Sequence, residues 1–253
     1  MFFGMLSAKA DEFNPKKKAE LGIYEHLDTI ISNDLVFTDE YFNKVNLKDA
    51  ITKPTVISLV YYECPGLCSP LLNGLADAMD KTDISLGKDY QVFTISFNPV
   101  EKPPLALKKK DTYSKLVHHG NVRENWRFFT GDSSTINRLL NQVGFKVKKE
   151  GDEYIHPAAI IVLSPGGKIT RYLIGSTYFL PFDLKMSVVE ASQGKSGPTI
   201  NKFLNYCFSY DPKGKKYVFN ITKISGSIIL ILALSLLFSL LYKGKRKSTS
   251  HKK

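Results

Sequence analysis

The chain has 253 residues, 43% of them hydrophobic, enough for one sizeable core with something left over. Its formal charge is +11, but six positive charges lie within residues 243–253, which hold no acid. The remaining +5 argues against a nucleic-acid-binding protein, and no nucleic-acid partner is expected.

Taken in order, residues 1–10 end in the small-x-small pattern Ala8-Lys9-Ala10 and read as the remnant of an export signal, with cleavage after Ala10. The apolar part is short and lacks a basic n-region, as a truncated start or a mis-set initiation codon would leave it. Residues 11–50 form a polar lead-in, with a short strand or hairpin over 34–39. His26 in this lead-in is a surface residue with no second ligand nearby.

Residues 51–194 form the folded domain. A buried strand over 55–62 leads to a helix over 70–81, a strand over 90–96 to a helix over 105–119, and a strand over 126–130 to a helix over 133–143. A further strand over 145–149 is possible. This alternation predicts an α/β sheet, mostly parallel, with helices on both faces. The apolar run 158–163, the turn Ser164-Pro165-Gly166-Gly167 and the run 169–174 predict an antiparallel hairpin. A last helix is expected over 182–192. Asp132 or Ser133 is a candidate cap, Gly120 a candidate helix terminator, and His118 and His119 structural residues at that helix end.

Chemistry concentrates in Tyr61-Tyr62-Glu63-Cys64-Pro65-Gly66-Leu67-Cys68-Ser69-Pro70, which holds two of the three cysteines. The spacing puts both thiols on a strand-to-helix turn, with Ser69 and Pro70 read as N-cap and first helical residue. Helix N-termini stabilise thiolates. Two such groups close on each other or on one soft ion, Cu(I) first and Zn(II) next. A purely structural bridge would close only three residues and constrain the unfolded chain little. His156 stands before a proline, which holds it extended at the start of the hairpin. In a thioredoxin-like sheet that position faces the cysteine turn. A Cys2His set would suit Cu(I) and could also hold Cu(II) or Zn(II). Cys207 is an odd third thiol, either packing or resolving.

Residues 195–223 read as a linker and 224–242, apolar apart from serines and a glycine, as a transmembrane helix. The basic tail 243–253 then lies in the cytoplasm, with the domain on the outer side. This predicts a single-pass protein of the bacterial cytoplasmic membrane with a periplasmic domain. In an oxidising compartment a close thiol pair is oxidised unless a reductant or a metal holds it open.

Four separate stretches carry a family likeness: the Cys64/Cys68 pair after a buried strand, Ser96-Phe97-Asn98-Pro99, Phe129-Thr130-Gly131, and His156 followed by Pro165-Gly166-Gly167. Over about residues 55–174 the chain resembles the Sco/SenC family, membrane-anchored thioredoxin-like copper proteins that help build the binuclear copper centre of cytochrome c oxidase. The resemblance implies a thioredoxin-like (peroxiredoxin-like) sheet and gives copper-ligand roles to Cys64, Cys68 and His156. It also implies partners: the copper-receiving oxidase subunit, and other copper chaperones or thiol reductants. Three departures stand out: Asn98 in place of an aspartate, Pro157 directly after the histidine, and an anchor at the C-terminus.

Two functions compete. One is a copper (Cu(I)/Cu(II)) chaperone or thiol reductant for oxidase assembly. The other is an exported thiol-disulfide oxidoreductase using Cys64 and Cys68 as a redox pair, with His156 tuning their pKa. A peroxidase, or an anchored domain with an inert bridge, is the weaker expectation.

Overall fold

The run Thr55-Val-Ile-Ser-Leu-Val60 has no turn former and is almost wholly β-branched or apolar, the composition of a strand covered on both faces. In the computed structural model all six of its residues are buried. The structure describes residues 21–175, 178–197, 208–211, 216–219 and 234–235. The chain divides after Gly197 into two units.

The first unit runs β1 (Gly22–Ile23), β2 (Val36–Asp39), β3 (Lys44–Asn46), α1 (Leu47–Ala50), β4 (Thr55–Val60), α2 (Cys68–Lys81), β5 (Gln91–Ser96) and α3 (Pro103–Tyr113). After a 3-10 turn at Ser114–Leu116 come α4 (Val122–Asn125), β6 (Trp126–Thr130), α5 (Ser133–Gln142), β7 (Phe145–Lys146) and β8 (Lys148–Glu150). The unit closes with β9 (Glu153–Ile155), β10 (Ala159–Leu163), β11 (Ile169–Ile174) and α6 (Pro181–Ser192).

Seven strands form one sheet in the order β11-β10-β4-β5-β6-β2-β3. Only β4, β5 and β6 run parallel; β10, β11, β2 and β3 pair antiparallel. The mostly parallel sheet expected from the sequence is therefore a mixed one. Parallel neighbours require a crossover connection, and the chain supplies one only between β4 and β5 and between β5 and β6. The sheet interior is apolar, and its polar groups pair: Trp126 Nε1 donates to Thr94 Oγ1 at 2.9 Å, and the Ser58 and Thr94 hydroxyls lie 2.8 Å apart.

Several boundaries shift for identifiable reasons. Helix α2 starts at Cys68, because the Leu71 N–H already bonds the Leu67 carbonyl at 3.0 Å. Leu67, not Ser69, is the N-cap, and Pro70 falls in the first turn, where no N–H is missed. Helix α3 ends at Tyr113, so Gly120 does not terminate it. His118 and His119 instead reach α2: the His118 N–H bonds Asp80 Oδ1 at 2.6 Å and His119 Nε2 bonds the Asp80 carbonyl at 2.7 Å. Of the two cap candidates, Asp132 takes the role, accepting the Thr135 N–H at 3.0 Å. The stretch 145–149 splits, β7 pairing with β1 and β8 with β9.

In the second unit, the stretch read as a linker contains an antiparallel pair, β12 (Phe208–Asp211) and β13 (Lys216–Phe219). No helix among the described residues is long and apolar enough to cross a membrane. The expected span 224–242 lies outside the described residues apart from Leu234 and Ser235, which are helical. The export-signal remnant, Cys207 and the basic tail also lie outside them.

Candidate metal centre

Strand β4 is followed by two buried tyrosines that fix its exit. The Tyr62 hydroxyl donates to the Phe129 carbonyl at 2.7 Å, while Tyr61 packs on Phe97 and Tyr154 with centroids 5.6 and 5.5 Å away. The chain then turns, the Cys64 N–H bonding the Tyr61 carbonyl at 3.3 Å. This brings Cys64 round to face the first turn of α2, where Cys68 sits. Strand β10 runs antiparallel to β4, Ile160 opposite Ser58, so His156, held between β9 and β10, enters at the same end of the sheet.

The three side chains converge. Cys68 Sγ lies 3.3 Å and Cys64 Sγ 4.0 Å from His156 Nε2, and all three donor atoms fall within 4.8 Å of one another. Both cysteines are free thiols. His156 Nδ1 sits 2.8 Å from the Pro157 carbonyl, which only accepts, so Nδ1 carries the ring proton and the Nε2 lone pair faces the sulfurs. The departure Pro157 thus contributes the carbonyl that sets the tautomer. Phe97 lies against the imidazole with centroids 5.2 Å apart, and Tyr61 meets it edge-on at 5.9 Å.

The two thiols are not equivalent. Burial pushes the Cys64 thiol up, but N–H groups of Cys68 and Gly66 and the side chains of Cys68 and Tyr61 hydrogen-bond its sulfur, and the net pKa is below the ordinary cysteine range. Cys68 is 3% exposed, and burial drives its pKa well above that range, outweighing the Tyr61 N–H that bonds its sulfur. Burial raises the Tyr61 hydroxyl to about 12, with its hydrogen bond to Cys64 adding to the effect. His156 is also buried, which lowers its pKa and keeps the imidazole neutral. A thiolate-forming Cys64, a buried Cys68 and a neutral imidazole presenting a lone pair form a three-donor set that fits a soft ion such as copper. A cleft bordered by Tyr61, Leu67, Tyr154 and Ile155 leads to it.

The residues singled out in sequence fall into two groups. Cys64, Cys68 and His156 meet; His26 is exposed and bonds the Gln142 carbonyl, and His118 and His119 are tied to Asp80, away from the centre. Asn98 is a local turn residue whose Oδ1 accepts the Val100 N–H at 3.4 Å. Sequence reasoning missed Glu101, a buried carboxylate that accepts the N–H groups of Tyr62 and Glu63 just before Cys64. The available signal was an acid beside Ser96-Phe97-Asn98-Pro99. It also missed the aromatic surround, because Tyr61, Phe97 and Tyr154 come from separate segments.

Among solved structures, the chain is similar to a protein of Aquifex aeolicus VF5 at 25% identity and a TM-score of 0.59, covering 67% of this chain and 95% of that one. It is similar to BsSco at 23% identity and a TM-score of 0.53, covering 68% and 99%. Arabidopsis thaliana ScoI, solved with copper bound, matches at 20% identity and a TM-score of 0.51, covering 63% and 96%. No curated protein matches the chain. The likeness to these structures is one of fold, a thioredoxin-like sheet flanked by helices. The sequence itself matches the SCO1/SenC family over residues 25–178, which span the whole central sheet and all three converging side chains; the chain belongs to that family.

Proposed function

We propose that this protein is a copper-binding assembly factor that holds one copper ion through Cys64, Cys68 and His156 and serves the copper-receiving subunit of cytochrome c oxidase. The observation that carries the reading is the convergence of two thiols on the lone pair of a neutral imidazole. Its support from relatives is twofold: Arabidopsis ScoI has been solved with copper, and BsSco belongs to the Sco family of cytochrome c oxidase assembly proteins. We further propose that the domain faces the outer side of the bacterial cytoplasmic membrane and is tethered through residues 224–242, which the apolar composition of that stretch and the basic tail behind it support.

In this reading copper is cargo, and the chain's residues do three things. Cys64, partly exposed and hydrogen-bonded as a thiolate, is the donor nearest the solvent edge, where a partner's thiol or thioether would approach. Cys68 gives up its proton when the ion binds, so loading releases protons and is favoured as pH rises. His156, oriented by the Pro157 carbonyl, supplies the nitrogen donor without first losing a proton.

A second reading is favoured by a specific observation, the inequality of the thiols. A low-pKa outer thiol and a high-pKa buried one are the attacking and resolving pair of a disulfide exchanger. BsSco, in which a disulfide switch has been identified, lends this support. Two mixtures separate the readings: the reduced, metal-free chain or its His156→Ala variant with the oxidised oxidase subunit, followed for disulfide reduction, and the same proteins given one equivalent of Cu(I) and then the reduced subunit, followed for metal uptake. The copper reading expects uptake from the wild type and none from the variant. Reduction of the oxidised subunit by both proteins at equal rates, with no metal passing, would leave the exchanger.

A further inference from the structure

Beside the centre lies a buried carboxylate that the copper reading does not use. Glu101, in the loop between β5 and α3, is 4% exposed. A buried carboxylate is costly unless donors surround it. Glu101 meets three: the Tyr62 N–H at 2.8 Å, the Glu63 N–H at 3.0 Å and the Ser96 hydroxyl. Two of these belong to the backbone that leaves β4 and bends into Cys64. A single carboxylate gripping consecutive N–H groups fixes both the position and the direction of that backbone.

The same loop also governs the histidine side. The Phe97 N–H extends the ladder to the Val60 carbonyl at 2.8 Å, and the Phe97 ring lies 5.2 Å from the His156 ring. Ser96, bonded to Glu101, accepts the Asn98 N–H at 3.1 Å and so closes the loop that carries Phe97. The donor atoms come from segments 88 and 92 residues apart in sequence, so their spacing depends on what holds each segment. Asn98, three residues before Glu101, uses its side chain for a local turn, accepting the Val100 N–H. The carboxylate that reaches the cysteine segment from this loop is that of Glu101.

We propose that Glu101 is the positioning residue of the metal centre, clamping the Cys64 turn through the Tyr62 and Glu63 N–H groups and, through Ser96, the loop that packs Phe97 onto His156. The proposal rests on the copper reading. Outer-shell partners of this kind are worth roughly 10–100-fold in metal affinity.

Three variants separate reach from charge. Glu101→Gln keeps the reach and one acceptor oxygen but loses the charge; Glu101→Asp keeps the charge but falls a methylene short; Glu101→Ala loses both. Cu(I) affinity of the reduced full chain is measured by chelator competition, with His156→Ala alongside, and hydrogen exchange is followed on the metal-free proteins. The expected result is a loss of roughly 10–100-fold in the Asp and Ala variants and a smaller one in Gln. Tyr62 and Glu63 amides should exchange faster in Asp and Ala, while amides inside β4 and β10 stay protected. If Ala fails to fold, Asp and Gln carry the comparison. Asp binding within about threefold of wild type, or Gln binding more tightly with Asp unchanged, would overturn the proposal, since charge rather than position would then be what matters. Equal binding by wild type and His156→Ala would instead sink the copper reading, and the exchange rates would still judge the clamp.

Discussion

The Cys64 sulfur collects hydrogen bonds that outweigh its burial, while Cys68 lies against the protein interior with its pKa raised. Thiolate, not thiol, attacks an alkylating agent. With iodoacetamide near neutral pH, Cys64 is therefore expected to be labelled first and Cys68 only slowly, as peptide mapping would read; equal rates would contradict the assignment. His156 gives a second expectation. Burial lowers its pKa, so on acidification the unfolded chain takes up this proton before the folded one, and His156 favours unfolding progressively below about pH 6.5. An NMR titration of the metal-free domain should place its midpoint under the ordinary histidine value, and a midpoint above it would be wrong for this structure. The two thiols were legible in sequence because their spacing on a strand-to-helix turn is chemically distinctive, and His156 was legible through the thioredoxin-like sheet that sets it opposite them and through the family resemblance. Glu101 was not, because it acts on backbone N–H groups, which every sequence has, and its 38- and 39-residue separations from them leave no local pattern.

At the level of elements, period and composition identified the strands β4, β5, β6, β10 and β11 and the helices α2, α3 and α5 between them, but not the short α4. The mixed sheet was less visible, since the pairing of β2 with β6 joins Thr38 to Thr130, and nothing local announces such contacts. Motif residues make sense only in that geometry. A Cβ on Gly131 would stand 2.8 Å from ring atoms of Phe37 and 3.3 Å from Ile136. Glycine there lets the turn after β6 sit close against β2. Replacing it by alanine forces both neighbours outward and should destabilise the domain by about 1–3 kcal/mol in urea unfolding, as overpacked cores do. A change within a few tenths of a kcal/mol would mean that the ring simply swings aside.

At the scale of the first unit, a buried ion pair joins the lead-in to the body of the fold. Lys110 on α3 bonds Glu40, just past β2, with the two side chains 3% and 1% exposed, and Glu40 also accepts the Phe128 N–H of β6 at 3.0 Å. Removing one partner strands the other charge in the interior. Lys110→Met should therefore cost about 3–5 kcal/mol, and the double variant Lys110→Met/Glu40→Gln should recover part of it, both read by urea unfolding. An additive double variant would show that the two residues act separately. Neither residue stood out in the sequence, where Lys110 is one of three consecutive lysines.

What ties residue, element and molecule together is one three-donor centre, and an anaerobic Cu(I) titration of the reduced full chain against a competing chelator tests it most directly. Wild type should bind one tight equivalent, and Cys64→Ala and His156→Ala should each lose it. Weak binding that His156→Ala leaves unchanged would contradict the account and leave Cys64 and Cys68 as a metal-free redox pair.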